Sequence, residues 1–424
     1  MRMHEIAIPY GHEELIAHVP DDRLAWVVSP ADVPGVPDVA AAVHAAVRNP
    51  IGSPPLPELV RRHGRRVVLI VDDNTRPTPQ HLLLPPLLDE LNAAGVPDED
   101  VTVLIALGTH RQMTPDECRQ HYGEAVVNRV RVENLDNANP AAFVDVGYTS
   151  SGIPVQVARR YLDADVKIAV GNIIPHMYAG WSGGAKAVQP GVCSHLTTCR
   201  THVMAGPKVY EILGDLDNPV RQEIDEIGMK TGLTFIVNTI INRNHEVVRV
   251  VAGQPIAAHR EGVKTSRQVY GVQIPGRVDI VIAGAKPAER DLWQGFKPLN
   301  AAGMTVCDGG EVILAIPAPE GLSPDHPAIM DFGQMPNEEV LAQVAGGHVK
   351  DEVAAATYMA MNVTRSRARI TLVSGGIDPE HARRLNLGLE RDLDRAVAAA
   401  MERARPGARI GVITHAADIW PIIT

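Results

Sequence analysis

A glycine-rich stretch at residues 171–191 combines His176, the turn Ser182-Gly183-Gly184 and Lys186. A turn of this kind can present backbone N–H groups to an anion, as phosphate-binding turns do. The pattern G-x-x-x-x-G-K-[ST] of nucleoside triphosphatases would need Gly at position 185 and Ser or Thr at position 187, and both positions hold Ala. The stretch therefore predicts an anion-binding turn beside a lysine and argues against a triphosphatase.

The segment that follows, residues 193–202, predicts a helix. His195, Cys199 and His202 are spaced i, i+4 and i+7 and would share one face of it. A zinc site is one interpretation. One helix face seldom supplies a closed tetrahedral set, however, because its first and third groups lie about two turns apart. His202 as a single metal ligand is a second interpretation, and the spacing leaves both open.

Two further motifs directly follow predicted strands. Residues 72–77 read DDNTRP, where Arg76 can bind a carboxylate or phosphate through two parallel N–H bonds and Asp73 can orient it. Residues 108–111 read GTHR and put His110 just past a buried strand, a suitable place for a general base. An Asx turn and a helix-capping histidine are the ordinary alternatives.

A last pair of polar residues lies in the second half of the chain. Gln294 and Lys297 are three residues apart in the sequence DLWQGFK at 291–297. One helical face can present both of them to a carboxylate. A solvated helix start is the ordinary alternative.

Short, continuously apolar, β-branched runs recur along the chain and predict strands that are covered on both faces. Helical patterns at Gln80–Ala94 and Leu387–Arg405 lie between them and end at Gly95 and Pro406-Gly407. This alternation predicts the α/β class with largely parallel sheets. The predicted strands are Val67–Val71, Val101–Leu107, Val166–Val170, Phe235–Ile241, Val278–Ala283, Val312–Ile316, Ile370–Val373 and Ile410–Ile413.

A chain of 424 residues is expected to form two domains. Pro275-Gly276 precedes a fresh strand, so we place a larger N-terminal domain at 1–275 and a smaller C-terminal domain at 276–424. The Pro- and Gly-rich stretch Pro317–Pro336 is predicted to be a long loop that could line a site.

Composition excludes several classes of protein. The net charge of −10 and the scattered arginines provide no basic footprint for nucleic acid. Four cysteines without C-x-x-C spacing indicate a reduced protein. The N-terminus lacks the apolar core of a signal peptide, and no run of about 18 apolar residues suggests a membrane span. We therefore expect a cytoplasmic protein without a membrane partner; its oligomeric state is not indicated.

Taken together, the motifs resemble the nickel-dependent lactate racemase family along nearly the whole chain. No single motif is specific for the family, but the order and spacing of all of them together are specific. The matching segments are Asn49-Pro50-Ile51-Gly52-Ser53, Asp73-x-Thr75-Arg76-Pro77, Gly108-x-His110-Arg111, His176, Ser182-Gly183-Gly184-x-Lys186, Pro190-Gly191, His202 and Gln294-x-x-Lys297.

The resemblance implies two α/β domains with the site in the cleft between them. It also implies a nickel-pincer nucleotide, pyridinium-3,5-bisthiocarboxylic acid mononucleotide, attached covalently to Lys186, with His202 as the remaining nickel ligand. Three pincer donors and one imidazole suit square-planar Ni(II). The cofactor phosphate would lie at Ser182–Gly184. Such a cofactor implies maturation enzymes as partners.

The resemblance implies a racemase or epimerase of a small 2-hydroxy acid. The Cα proton of such an acid is barely acidic, and moving the hydrogen as hydride through a 2-keto acid avoids a carbanion. His110 and His176 would handle the hydroxyl proton, one for each enantiomer. Arg76 and Lys297 would bind the carboxylate, Gln294 would bond a substrate oxygen, and Asp73 would orient Arg76 or a histidine.

Several departures from the family pattern concern the pocket wall. Trp293 stands where well-known members have a phenol, no Trp is found near Ala356–Tyr358, and Ala185 replaces an Arg. Because of these departures, the sequence does not indicate which side chain the substrate carries, and lactate is one candidate. Two other functions are alternatives: a zinc-dependent hydrolase or lyase using His195, Cys199 and His202, and a 2-hydroxy acid dehydrogenase that releases the keto acid.

Overall fold

The apolar runs of the first half of the chain form one six-stranded sheet. The computed structural model describes residues 2–424. Five strands are parallel, and the strand at one edge, Val247–Gly253, pairs antiparallel with its neighbour. In spatial order the strands are Val247–Gly253, Phe235–Ile241, Val166–Asn172, Val67–Val71, Val101–Ile105 and Arg131–Asn134.

The second half of the chain forms another six-stranded sheet, in which all neighbouring strands are parallel. Its edge strand, Leu24–Val28, comes from the N-terminal end of the chain. The domain division at residue 275 stays a prediction. The strand pairing shows, in addition, that residues 24–28 belong to the second sheet. In spatial order the strands are Gly388–Glu390, Arg369–Val373, Val306–Ala315, Val278–Gly284, Ile410–Ile413 and Leu24–Val28.

The remaining strands form two-stranded ladders, and helices cover both large sheets. The ladders pair Met3–Tyr10 with Glu13–Pro20, Phe143–Tyr148 with Pro154–Ala158, Pro175–His176 with Gly180–Trp181, and Gly271–Ile274 with Trp420–Ile423. The α-helices are Val39–Arg48, Leu56–His63, Gln80–Ala93, Pro115–Tyr122, Glu124–Val127, Arg159–Leu162, His195–Ala205, Val209–Ile212, Pro219–Lys230, Pro255–Tyr270, Leu292–Thr305, Asn337–Ala345, Glu352–Arg365, Pro379–Arg384 and Leu393–Arg403. Short 3₁₀ turns lie at Asp98–Asp100, Pro140–Ala142, Gly184–Ala187, Gly206–Lys208, Pro327–Phe332 and Ala416–Asp418.

The α/β class with largely parallel sheets is confirmed. Every predicted strand forms, and most of them begin or end at a different residue from the one predicted. The predicted helix Leu387–Arg405 is wrong at its start, because Gly388–Glu390 is a short strand at the sheet edge and the helix begins at Leu393. The predicted loop Pro317–Pro336 contains the 3₁₀ turn Pro327–Phe332. Among residues 2–424, every helix is too short or too polar to cross a bilayer.

Three helices that reach the candidate site begin at capping side chains, which fixes their first turns. Ser194 accepts a hydrogen bond from the N–H of Thr197, and Asp291 and Asp351 accept from residues three positions ahead. The helices are His195–Ala205, Leu292–Thr305 and Glu352–Arg365. The first and third pack together across the two halves of the chain. A Cβ atom on Gly206 would lie 2.5 Å from the carbonyl oxygen of Ala356, so this contact requires glycine.

We expect Trp26→Ala to lower the free energy of unfolding by about 3 kcal/mol, because it removes a large buried ring from the second sheet. Trp26 is 8% exposed, lies against Gly411, and donates from Nε1 to the carbonyl oxygen of Gly276 at 3.2 Å. Val27, on the same strand, is 45% exposed, and Val27→Ala should change stability by about 0.5 kcal/mol or less. Urea unfolding measures both; equal effects would contradict this packing.

Candidate active site

Every site residue that the family resemblance implies lines one pocket. The pocket lies past the carboxyl ends of Val67–Val71, Val101–Ile105 and Val166–Asn172, where ligands collect in open α/β sheets. Residues near the starts of two helices from the second half of the chain, Leu292–Thr305 and Glu352–Arg365, also line it. The predicted lining residues are Asp73, Arg76, His110, His176, Ser182, Gly183, Gly184, Lys186, His202, Gln294 and Lys297.

His110 is oriented by the carboxylate of Asp73, 2.6 Å from its Nδ1 atom. Burial raises the pKa of Asp73, but the charge and hydrogen bond of His110 and the charge of Arg76 outweigh it, and the pKa lies well below its usual value. An ionised Asp73 keeps the proton of a neutral His110 on Nδ1. The Nε2 atom of His110 then carries a lone pair and can accept a proton.

His176 has the opposite arrangement. Its Nδ1 atom accepts the backbone N–H of Tyr178 at 3.1 Å, so the neutral ring carries its proton on Nε2. Burial, followed by the nearby charges of Lys186 and Lys297, lowers the pKa of His176 well below its usual value. The ring is therefore neutral near pH 7, and its Nε2–H group is a hydrogen-bond donor. The pocket thus contains one imidazole acceptor and one imidazole donor.

Lys186 lies in the 3₁₀ turn Gly184–Ala187, and among residues 2–424 its amine has neither a hydrogen bond nor an ion pair. Burial, followed by the charges of Arg76 and Arg221, lowers the pKa of Lys186 to about 7. A substantial fraction of this amine is therefore uncharged near neutral pH, the form that attacks an acyl carbon.

Buried Arg221 organises the turn that precedes Lys186. Its guanidinium donates to the carbonyl oxygens of Ala179 at 3.3 Å and Gly183 at 3.4 Å, and also to that of Trp181. Asp225 lies 3.5 Å from the same guanidinium. Sequence reasoning missed Arg221, because a buried arginine and an exposed one look alike in a helical pattern.

The turn Ser182–Gly184 differs in part from the predicted anion-binding turn. The N–H of Ser182 donates to the carbonyl oxygen of Ile174 at 2.8 Å, and the N–H of Gly184 donates to Oδ1 of Asn238 at 2.7 Å. These two groups are already used within the protein. Contact of Ser182–Gly184 with a cofactor phosphate stays a prediction that rests on the position of the turn in the pocket.

His202 is suited to bind a metal ion through Nε2. Its Nδ1 atom donates to the carbonyl oxygen of Thr198 at 2.9 Å, the usual way to fix the tautomer of a metal-binding histidine. Burial, followed by the charge of Lys186, lowers the pKa of His202 to about 3, so the ring is neutral at physiological pH.

The geometry does not support the zinc interpretation of His195, Cys199 and His202. In residues 2–424 no three His, Cys, Asp or Glu side chains converge on a metal position. Cys199 lies 3.2 Å from Nδ1 of His195, and burial raises the pKa of this thiol to about 12. His202 lines the pocket, and His195 and Cys199 do not.

Arg76, Gln294 and Lys297 line the same pocket. Lys297 donates to Oε1 of Gln294 at 2.9 Å, which leaves the amide N–H groups of Gln294 for other acceptors. Burial, followed by the charges of Arg76 and Lys186, lowers the pKa of Lys297 well below its usual value. Together with Lys186, Arg76 and Lys297 make three basic side chains in one pocket, which favours an anionic ligand.

Several other lining residues carry no signal that sequence reasoning could have used. Nδ2 of Asn172 and Oγ1 of Thr198 are buried without a hydrogen-bond partner in residues 2–424. Both residues line the pocket. Unpaired buried polar atoms are costly, so a bound polar group would stabilise them. Thr357 and Val353 form part of the wall where no Trp was found.

Known proteins resemble this chain in sequence and in fold. The family model for the lactate racemase N-terminal domain matches residues 10–210. A lactate racemase from Thermoanaerobacterium thermosaccharolyticum is 30% identical over 324 residues, which cover 75% of this chain and 76% of the relative. The chain belongs to the lactate racemase family. It is therefore an isomerase of the racemase type, and the dehydrogenase alternative gains no support.

Two further relatives extend the similarity over the whole chain. A lactate racemase from Lactiplantibacillus plantarum is 27% identical over 420 residues, covering 96% of this chain and 97% of the relative. The solved structure of the lactate racemase apoprotein from T. thermosaccharolyticum has a TM-score of 0.87 and 27% identity, covering 99% of this chain and 100% of that one. The racemase therefore shares its full fold, in both halves, with that apoprotein.

We expect Lys186 in the apoprotein to be acetylated by acetic anhydride with a rate that rises through pH 7 and then levels off. Its lowered pKa supplies the uncharged amine above about pH 7, whereas ordinary lysines gain it near pH 10. Pulse labelling between pH 6 and 10 with peptide mass spectrometry measures the rate, with exposed Lys208 as the internal control. Arg76→Gln should move the Lys186 profile to higher pH, because it removes a repelling charge. Parallel profiles for Lys186 and Lys208 would contradict the assignment.

Proposed function

We propose that this racemase inverts the configuration of a small 2-hydroxy acid, lactate or a close relative, with a nickel-pincer nucleotide attached to Lys186. The carrying observation is that two imidazoles with opposite tautomers line the pocket that also contains the Lys186 amine. The names of the relatives support lactate as a substrate.

The residues of the pocket fit the proposed cofactor. An uncharged, unpaired lysine amine suits an acyl linkage, and a single imidazole with a free Nε2 suits a metal whose other donors come from the cofactor. The unpaired atoms of Asn172 and Thr198 add two polar positions for a bound group. When bound, the cofactor would supply a hydride acceptor that can return hydride to either face of a 2-keto acid.

Binding of the substrate would rest on the basic side chains. Arg76 would hold the carboxylate through two parallel N–H bonds, and Lys297 would add a second positive charge. The amide N–H groups of Gln294 would donate to a substrate oxygen, since its Oε1 atom already accepts from Lys297. These contacts would keep the carboxylate fixed while the rest of the acid turns.

Proton transfer would be divided between the two histidines. Nε2 of His110 would take the hydroxyl proton of one enantiomer, and Asp73 would stabilise the imidazolium that results. On the opposite side, the oxygen of the keto acid would take a proton from Nε2 of His176 in its imidazolium form, in which Nδ1 is also protonated and no longer accepts from the N–H of Tyr178. His176 is then neutral, with its proton on Nδ1 and a lone pair on Nε2. The reverse reaction would exchange these roles. We also propose that maturation enzymes load the protein, and that it works in the cytoplasm.

We expect protein made with the maturation system to carry an added mass and nickel. Lys186→Ala should lose both, because the attachment point is gone. His202→Ala should keep the added mass but bind less nickel, because only the metal ligand is removed. Intact-mass spectrometry and elemental analysis measure the two quantities, with Lys208→Ala as the control. An added mass that survives Lys186→Ala would contradict the attachment.

We expect His110→Ala and His176→Ala each to slow racemisation by about a hundredfold or more, the usual contribution of a general acid or base. The two variants should differ in single turnovers. Each should still form keto acid from one enantiomer only, and the favoured enantiomer should be opposite in the two variants. Acid quenching and chiral chromatography measure how much of each enantiomer is converted to keto acid. If both variants fail to convert the same enantiomer, the two histidines do not have divided roles.

A further inference from the structure

His326 stacks on a wall of the pocket although it does not line the pocket itself. Its imidazole lies parallel to the indole of Trp293, with ring centroids 4.4 Å apart and planes inclined by 18°. His326 is only 6% exposed. Trp293 directly precedes Gln294 and lines the pocket. In residues 2–424 the indole N–H of Trp293 makes no hydrogen bond, so packing alone orients this ring.

Two polar contacts fix the imidazole of His326. Its Nδ1 atom lies 2.8 Å from Oδ2 of Asp351, and its Nε2 atom lies 3.4 Å from Oγ1 of Thr109. Asp351 also caps the helix Glu352–Arg365, accepting from the N–H of Ala354 at 2.9 Å. Thr109 precedes His110 in the first half of the chain. The imidazole therefore connects three parts of the pocket wall.

We propose that His326 is a positioning residue that fixes the indole of Trp293 against the side chain of the substrate, and so determines which 2-hydroxy acids are accepted. This inference rests on the proposed function and adds a determinant of specificity. A bulky wall held in one orientation excludes larger side chains, because a packed pocket tolerates little extra volume. Without the stacked imidazole, the indole would gain rotational freedom and the pocket would widen.

The position of the Trp293 indole can be tested in the apoprotein, without an activity measurement. The emission of Trp293 is obtained by subtracting the spectrum of the Trp293→Phe counterpart from the spectrum of each protein. We expect His326→Ala to shift this emission to longer wavelength, because water reaches the indole. His326→Phe, which keeps a flat ring, should leave the emission near that of the wild type, as should His348→Ala, a control at an exposed histidine. Unchanged emission in His326→Ala would contradict the proposal.

Specificity is tested in the loaded enzyme by the ratio of kcat/KM for lactate to kcat/KM for 2-hydroxy-4-methylpentanoate. We expect His326→Ala to shift this ratio about fivefold or more toward the larger acid, and His326→Phe to keep it within about twofold. A purely structural role would lower both values equally and contradict the inference. If the loaded wild-type enzyme racemises no 2-hydroxy acid, the proposed function fails; if it is active but His326→Ala leaves the ratio unchanged, only this inference fails.

Discussion

Lys186, Lys297 and Arg76 line one buried pocket, and the repulsion among their charges adds to the cost of burying them. Protein interiors accept such groups when they lose a proton or gain a counter-charge. Here both lysines have lowered pKa values, and Asp73 supplies part of the negative charge. A bound anion would relieve the remaining repulsion. The same constraint produces an uncharged amine at Lys186, which a covalent attachment requires.

Hydrogen bonds to the remote ring nitrogens determine what the histidines of the pocket can do. Asp73 directs the proton of neutral His110 to Nδ1, the N–H of Tyr178 directs that of His176 to Nε2, and the carbonyl of Thr198 leaves Nε2 of His202 free. Three chemically identical side chains thus become a hydrogen-bond acceptor, a hydrogen-bond donor and, in the proposed function, a metal ligand. We infer that these outer partners matter nearly as much for the reaction as the imidazoles themselves.

The limits of sequence reasoning follow from which interactions are local. Strands such as Val67–Val71 were predictable because a strand covered on both faces is apolar throughout. The pairing of Leu24–Val28 with the second sheet was not, because no local pattern tells a strand which sheet it will join. The pocket residues could be predicted from motifs in register with a known family. The Asp351–His326–Trp293 contacts could not, since their partners lie 25 and 33 positions from His326 and are selected by tertiary packing.

Racemisation of 2-deuterated substrate by the loaded enzyme in ordinary water tests the central claim most directly. If hydrogen moves as hydride and the histidines handle only the hydroxyl proton, product of inverted configuration keeps its deuterium at Cα. Conversely, racemisation in D₂O with unlabelled substrate adds no deuterium at Cα. Mass spectrometry of the separated enantiomers measures both. Exchange of one solvent hydrogen into Cα per inversion would show that the imidazoles remove the Cα proton, and would contradict the account.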